Sequence, residues 1–210
     1  MFNKDNNREM SISEKRKNTT KRLAMVSMFG AISMVLMLFE VPVLFAPSFM
    51  KMDLSDLPVI LGTFMMGPVE GFFIIVVKIA LKLVFRGTDT AFVGELASMV
   101  ASLAYILPAY IVYHFKRTKT GALLSLACGT VVTTIVSMVS DFYVVFPAYV
   151  KFYGIPMDGI IGMGTAINKN ITNLYSMMIW AVMPFNLLKY LITSVIAFVL
   201  YKRLKRALHF

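Results

Sequence analysis

Long apolar runs recur along this chain, and they limit its fold more tightly than any other feature. A bilayer core of ~30 Å needs about 20 apolar residues to be crossed by a helix. Runs near that length cover residues 23–40, 69–85, 91–115, 122–146 and 174–201, with a shorter one at 54–66. Pro42 and Pro47 end the first, Gly67 and Pro68 divide the second from the third, and Lys116, Arg117 and Lys119 interrupt the chain after the fourth. A long segment, 147–173, holding Gly154, Pro156, Gly159, Gly162 and Gly164, reads as a loop before the last run. The expected fold class is an all-α integral membrane protein, a single bundle of six transmembrane helices. Residues 1–22 read as a polar, flexible tail, 23–201 as the membrane domain and 202–210 as a basic tail.

Charge fixes the expected orientation. Of 210 residues, 58% are apolar and 15% charged, and the formal net charge is +10. The excess sits in the tails and the loop at Lys116, where fourteen cations stand against four at Lys51, Arg86, Lys151 and Lys169. Cytoplasmic segments collect Lys and Arg, so both termini are expected in the cytoplasm. A basic balance distributed in this way points to a membrane protein and not to a nucleic-acid partner.

Several ionisable residues fall inside the runs: Lys78, Lys82, Glu95, Asp141 and Lys189. Charge at the centre of a membrane helix is costly, so such residues mark ion pairs or a functional cavity. Asn186 stands three residues before Lys189 and shares its face. Lys82, Glu95 and Asp141 fall in the outer half, and Lys189 near the middle. Pairing of Glu95 with Lys82, or of Asp141 with Lys189, is the structural reading; a cavity reached from outside is the functional one. Phe142, Tyr143, Phe146, Tyr149, Phe152 and Tyr153 gather at the same end, followed by Asn168, Asn170 and Asn173. They read either as an interfacial aromatic belt or as walls for a flat ring, with amides for its polar edge.

The first run carries Ala24, Ser27 and Ala31 on one stripe, with Gly30 beside it. Small residues allow membrane helices to approach closely, within the bundle or against a partner. The lone Cys128 reads as packing. No glycine-rich phosphate loop and no nucleophile with an activating histidine occurs, so the chain is not expected to be an enzyme.

The segment from Phe49 to Pro58, the pair Gly67-Pro68 with Lys78, and Gly94-Glu95-Leu96-Ala97 resemble motifs of one family. So do Phe146-Pro147-Ala148-Tyr149 and Pro184-Phe185-Asn186-Leu187-Leu188-Lys189. These motifs, in order over roughly 22–205, resemble substrate-binding (S) components of energy-coupling factor (ECF) vitamin transporters, in particular the riboflavin-specific ones. The resemblance implies capture of riboflavin outside a bacterial plasma membrane, as transported ligand and not cofactor. It implies partners as well, a transmembrane coupling (T) subunit and two ATPase subunits. It implies a substrate site drawn from Lys51, Met52, Asp53, Glu95, Asp141, Phe142, Phe146, Asn186 and Lys189, and docking through Ala24, Ser27 and Ala31. Asp141 and Ser98 stand where asparagines are common in the family. Another vitamin-like ligand is the alternative within transport; a membrane enzyme or scaffold is the alternative outside it.

Overall fold

The computed structural model describes residues 12–47, 49–88, 90–154 and 156–207. Helix α1 spans Ile12–Leu38, α2 Asp56–Met66, α3 Pro68–Arg86, α4 Val93–Phe115 and α5 Lys119–Ser140. A π-helical turn at Asp141–Val145 carries α5 without a break into α6, Phe146–Tyr153. Helix α7 spans Met157–Thr165; α8, Leu174–Met177, runs through a second π-turn at Met178–Val182 into α9, Met183–Ala207. A minimal antiparallel pair, β1 Val41–Pro42 with β2 Lys51–Met52, folds the first loop back on itself.

Helices of this composition bury polar groups and expose apolar ones. Ser33, Lys78, Ser102, Ser125, Thr133 and Thr193 are fully buried, while Leu23, Val35, Ile135 and Val195 are exposed. Lipid is as apolar as leucine, so such a bundle is held by close packing and internal hydrogen bonds. Close packing is literal at Gly30, where a Cβ would collide with the Val77 side chain of α3. Buried hydroxyls serve the bonds: Thr133 Oγ1 donates across to the Ala101 carbonyl (2.8 Å), and Tyr105 and Ser194 share a bond of 2.8 Å.

Four helical stretches are long and apolar enough to cross a membrane: Arg16–Leu38, Val93–Phe115, Lys119–Phe152 and Leu174–Tyr201. Helix α2 is too short alone at 11 residues. Helix α3 has 19 residues but carries Glu70, Lys78, Lys82 and Arg86. Its inner charges are neutralised inside the bundle. Lys78 Nζ donates to Asp56 Oδ1 (2.8 Å) and to Ser102 Oγ (3.0 Å), and Lys82 pairs with Glu95.

Both approaches of the chain, through α1 and through α9, lie at one end of the bundle. At this end Arg22, where the apolar part of α1 begins, bonds Glu70 at the start of α3 (2.8 Å). There Phe64, Tyr113 and Tyr201, late in α2, α4 and α9, stack on one another. The N-terminal approach, the Gly67 turn, the Lys116 loop and the C-terminal approach therefore share an end, as the charge pattern requires.

Two expectations about the chain trace need correction. The segment 147–173 is not a loop: α6 and α7 occupy much of it, and Pro147 follows directly on the π-turn inside the continuous α5–α6 helix. Gly154, with φ 64°, ends α6 in the left-handed conformation that glycine adopts freely. Helix α1 also starts at Ile12, well before residue 23, because the helix does not stop where its apolar run begins. Residues 1–11 and 208–210 of the expected tails lie outside the described residues.

Lys78 and Asp56 are 0% and 2% exposed. Removing one partner of such a pair strands a buried charge at a cost of ~3–5 kcal/mol, whereas replacing both by apolar groups is near neutral. Lys78→Met should therefore lower unfolding stability of the detergent-solubilised protein by about that much. Combining it with Asp56→Leu should recover part of the loss.

Candidate functional site

At the end of the bundle opposite Arg22 and Tyr201, the helices part around a cavity of about 240 Å³. Each wall has a distinct origin. Met37 and Glu40 come from the end of α1 and its exit, and Phe49, Met50, Lys51 and Asp53 from the first loop. Lys82 comes from α3, and Thr90 from the loop that follows it. Gly94, Ala97, Ser98 and Ala101 line it from α4. Ser137, Asp141, Val145, Phe146 and Tyr149 run down α5, its π-turn and α6, while Phe185, Asn186, Lys189 and Tyr190 face them from α9.

Both helices that form opposite walls contain a π-turn next to the cavity. An inserted residue of this kind breaks the i to i+4 ladder and re-aims the side chains beyond it. In α9 the turn ends at Val182, whose carbonyl accepts from Asn186 Nδ2 (2.9 Å). That bond fixes the amide, leaving its carbonyl oxygen and second N–H for other partners.

Lys189 is committed to the first loop. Its Nζ donates to Asp53 Oδ2 (3.0 Å) and lies 4.0 Å from Asp56 Oδ2. Asp53 Oδ1 in turn accepts from the Ser55 amide (2.7 Å). Burial raises the pKa of Asp53, but the Lys189 charge and the Ser55 bond outweigh it, so the carboxyl sits below its ordinary 3.8. The outer edge of the loop is tied separately. Glu40 accepts from Lys51 Nζ (3.3 Å) and pairs with Arg86 (3.2 Å), joining α1, the first loop and the end of α3.

Among the expected site residues, Lys51, Asp53, Asp141, Phe146, Asn186 and Lys189 line this one cavity. Met52, Glu95 and Phe142 do not. Met52 and Phe142 pack on the apolar cluster around Phe146 and Met178. Glu95 accepts from Lys82, Thr88 and Thr90, so it pins the loop between α3 and α4 instead of facing the cavity. That is the structural pairing of Glu95 with Lys82. The other expected pair, Asp141 with Lys189, is absent: Lys189 turns to Asp53, which the first loop delivers to it.

The amides of the last loop have local duties. Asn173 Oδ1 caps α8 by accepting from the Ser176 amide (2.8 Å), and Asn168 Oδ1 accepts from the Asn170 amide (3.0 Å). Of the gathered aromatics, Phe146 and Tyr149 reach the cavity and Phe49 packs edge-on to both. Tyr143 and Phe152 are exposed, and the Tyr153 side chain lies outside the described set. Sequence reasoning missed Glu40, Ser137 and Tyr190; only the four-residue spacing from Ser137 to Asp141 was there to be read.

The stripe on α1 divides by residue. Gly30 is buried against α3, whereas Ala24, Ser27 and Ala31 are exposed on the other face. They form no part of the internal packing.

A family model described as "ECF transporter, substrate-specific component" matches residues 21–201. The chain is 32% identical over 184 residues to the riboflavin transporter RibU of Staphylococcus aureus, covering 88% of this chain and 90% of that protein. It is 28% identical over 186 residues to the riboflavin transporter FmnP of Bacillus subtilis, covering 88% and 92%. A solved chain described under "Structure and mechanism of the S component of a bacterial ECF transporter" matches with a TM-score of 0.71 at 31% identity. It covers 90% of this chain and 98% of that one.

A carboxyl held below its ordinary pKa stabilises the fold above that value and ceases to do so as pH falls through the lowered one. The gap in thermal midpoint between wild type and Asp53→Asn should therefore be level from about pH 8 to 5 and narrow below about pH 4. A gap that widens on acidification would contradict the Asp53–Lys189 pairing.

Proposed function

The chain belongs to the substrate-specific components of ECF transporters, and on that premise we propose that it captures riboflavin from outside the cell for ATP-driven import. The observation that carries this reading is the convergence of Phe146, Asn186 and Lys189 on one cavity at the end away from the basic tails. Riboflavin has a flat, largely apolar ring with an edge of alternating acceptors and a donor, and a side chain of hydroxyls. Such a molecule needs aromatic and aliphatic walls plus a few fixed amides and charged hydrogen-bonders. Phe146, Tyr149, Val145 and Phe185 supply the walls; Asn186 and Lys189 supply the directional contacts. The riboflavin transporters of S. aureus and B. subtilis, similar over most of their length, support the same ligand.

In this reading α1 to α5 and α9 make six crossings, with both termini in the cytoplasm of a bacterial plasma membrane. Helix α2 completes its short crossing through its flanks and its contacts with α1, α3, α4 and α9. The protein works with a transmembrane coupling subunit and two ATPase subunits. The exposed Ala24, Ser27 and Ala31 give the coupling subunit a flat stripe on which to lie closely. The first loop, held by Asp53 to Lys189, lies over the ligand.

Quenching of riboflavin fluorescence by the purified protein tests the ligand, and its absence would overturn the reading. Asn186→Ala removes a positioned amide worth ~1–3 kcal/mol and should weaken binding by roughly ten- to hundredfold with little loss of stability. Lys189→Ala should weaken binding too, but it also strands buried Asp53, so its stability should fall in the same preparation.

Coupling is tested at the other end. Ala31→Trp, or Ser27→Leu, should leave riboflavin quenching unchanged and reduce uptake in cells supplying the other subunits. Close helix contact needs small side chains, and the cavity does not use this face. Normal uptake by both variants would assign the stripe to lipid.

A further inference from the structure

Asp141 differs from every other acid on the cavity wall. Glu40 pairs with Lys51 and Arg86, and Asp53 with Lys189, but among the described residues the Asp141 carboxyl accepts no hydrogen bond and meets no cation. The lysines of the same wall are engaged elsewhere, Lys51 with Glu40, Lys82 with Glu95 and Lys189 with Asp53.

A second observation lies one turn back on α5. Ser137 is only 6% exposed, lines the same cavity, and its Oγ has no hydrogen-bond partner among the described residues. Residues four apart on a helix share a face, so the two groups form a strip down one wall. A buried hydroxyl without a partner is uncommon and asks for one. What the strip offers is mainly acceptor capacity: a carboxylate only accepts, and a hydroxyl accepts while donating once.

Resting on the riboflavin reading above, we infer that Ser137 and Asp141 determine specificity, taking O–H or N–H donors from an unphosphorylated flavin and disfavouring its phosphate ester. A phosphate brings about −1.5 to −2 charges at neutral pH and seeks donors and cations. In this cavity it meets an acid with no cation beside it, and every lysine within the wall must first leave a carboxylate partner to reach it. An uncharged polyol or imide N–H meets no such penalty and satisfies the two acceptors that the protein leaves open.

The test is paired titration of the detergent-purified full chain with riboflavin and with flavin mononucleotide, read by fluorescence quenching. Wild type should bind riboflavin at least about tenfold more tightly. Asp141→Asn keeps an acceptor and removes the charge. It should hold riboflavin within about tenfold while narrowing the preference over the mononucleotide by about tenfold or more. Ser137→Ala should lose several-fold in riboflavin affinity with the preference intact, a pattern that a general loss of packing would not produce. Equal affinities in wild type, or an unchanged preference in Asp141→Asn, would overturn the inference while leaving riboflavin capture standing. Unchanged riboflavin affinity in Ser137→Ala would remove the hydroxyl from the strip. Failure of wild type to bind either flavin would overturn the riboflavin reading itself, and this inference with it.

Discussion

Asp56 gathers four helices onto one carboxylate. Lys78 of α3 and Ser102 of α4 donate to one oxygen, and Tyr190 of α9 donates to the other, while Asp56 itself opens α2. In a lipid-facing bundle no hydrophobic effect drives helices together, so directional bonds of this kind decide which faces meet. They also make α2 possible as a buried element. An 11-residue helix has too little apolar length to hold itself in a bilayer, but it is anchored at its first residue by the helices around it.

The candidate site is an extension of that knot. Lys189, one residue before Tyr190, reaches both Asp56 and Asp53, so the first loop is fastened to the same charge network that organises the core. The outer rim is fastened differently, by the exposed triad of Glu40, Lys51 and Arg86. Exposed pairs are worth little, ~0–1 kcal/mol each, whereas the inner ones are shielded from water and salt. The loop is thus firm at its root and loosely held at its edge. That gradient suits a cover that must admit a ligand without losing its register.

Much of this was legible in the sequence because its causes are one-dimensional. Apolar length located the long helices, and the segments that the Lys and Arg distribution grouped lie at one end of the bundle. Charges inside apolar runs marked the helices that meet at the cavity. What stayed hidden depends on azimuth and on loops. Asp53 displaced Asp141 as the partner of Lys189 because a loop, with no period to read, carries it there. Asp56 stands at the head of the 54–66 run and drew no notice there, although it is the node of the bundle. Glu95 matched a motif and still turned away from the cavity, held by Lys82 and the two threonines of the α3–α4 loop. Proline and glycine in 147–173 read as breakers, yet Pro147 sits inside the continuous α5–α6 helix, and Gly154 closes it.

The two π-turns separate the bundle into parts that can vary independently. Each inserts one residue at the cavity wall, the first between Ser137 and Phe146 and the second just before Phe185, and one residue is about 100° of rotation. Loss of a residue at 141–145 would swing Phe146 and Tyr149 to another face while Thr130, Thr133 and Thr134, earlier in α5, kept theirs. Helix α1, which carries the exposed small-residue stripe, has no such turn. A lineage of these proteins could therefore re-aim its cavity wall by single-residue insertion or deletion and leave the exposed stripe of α1 in the same register.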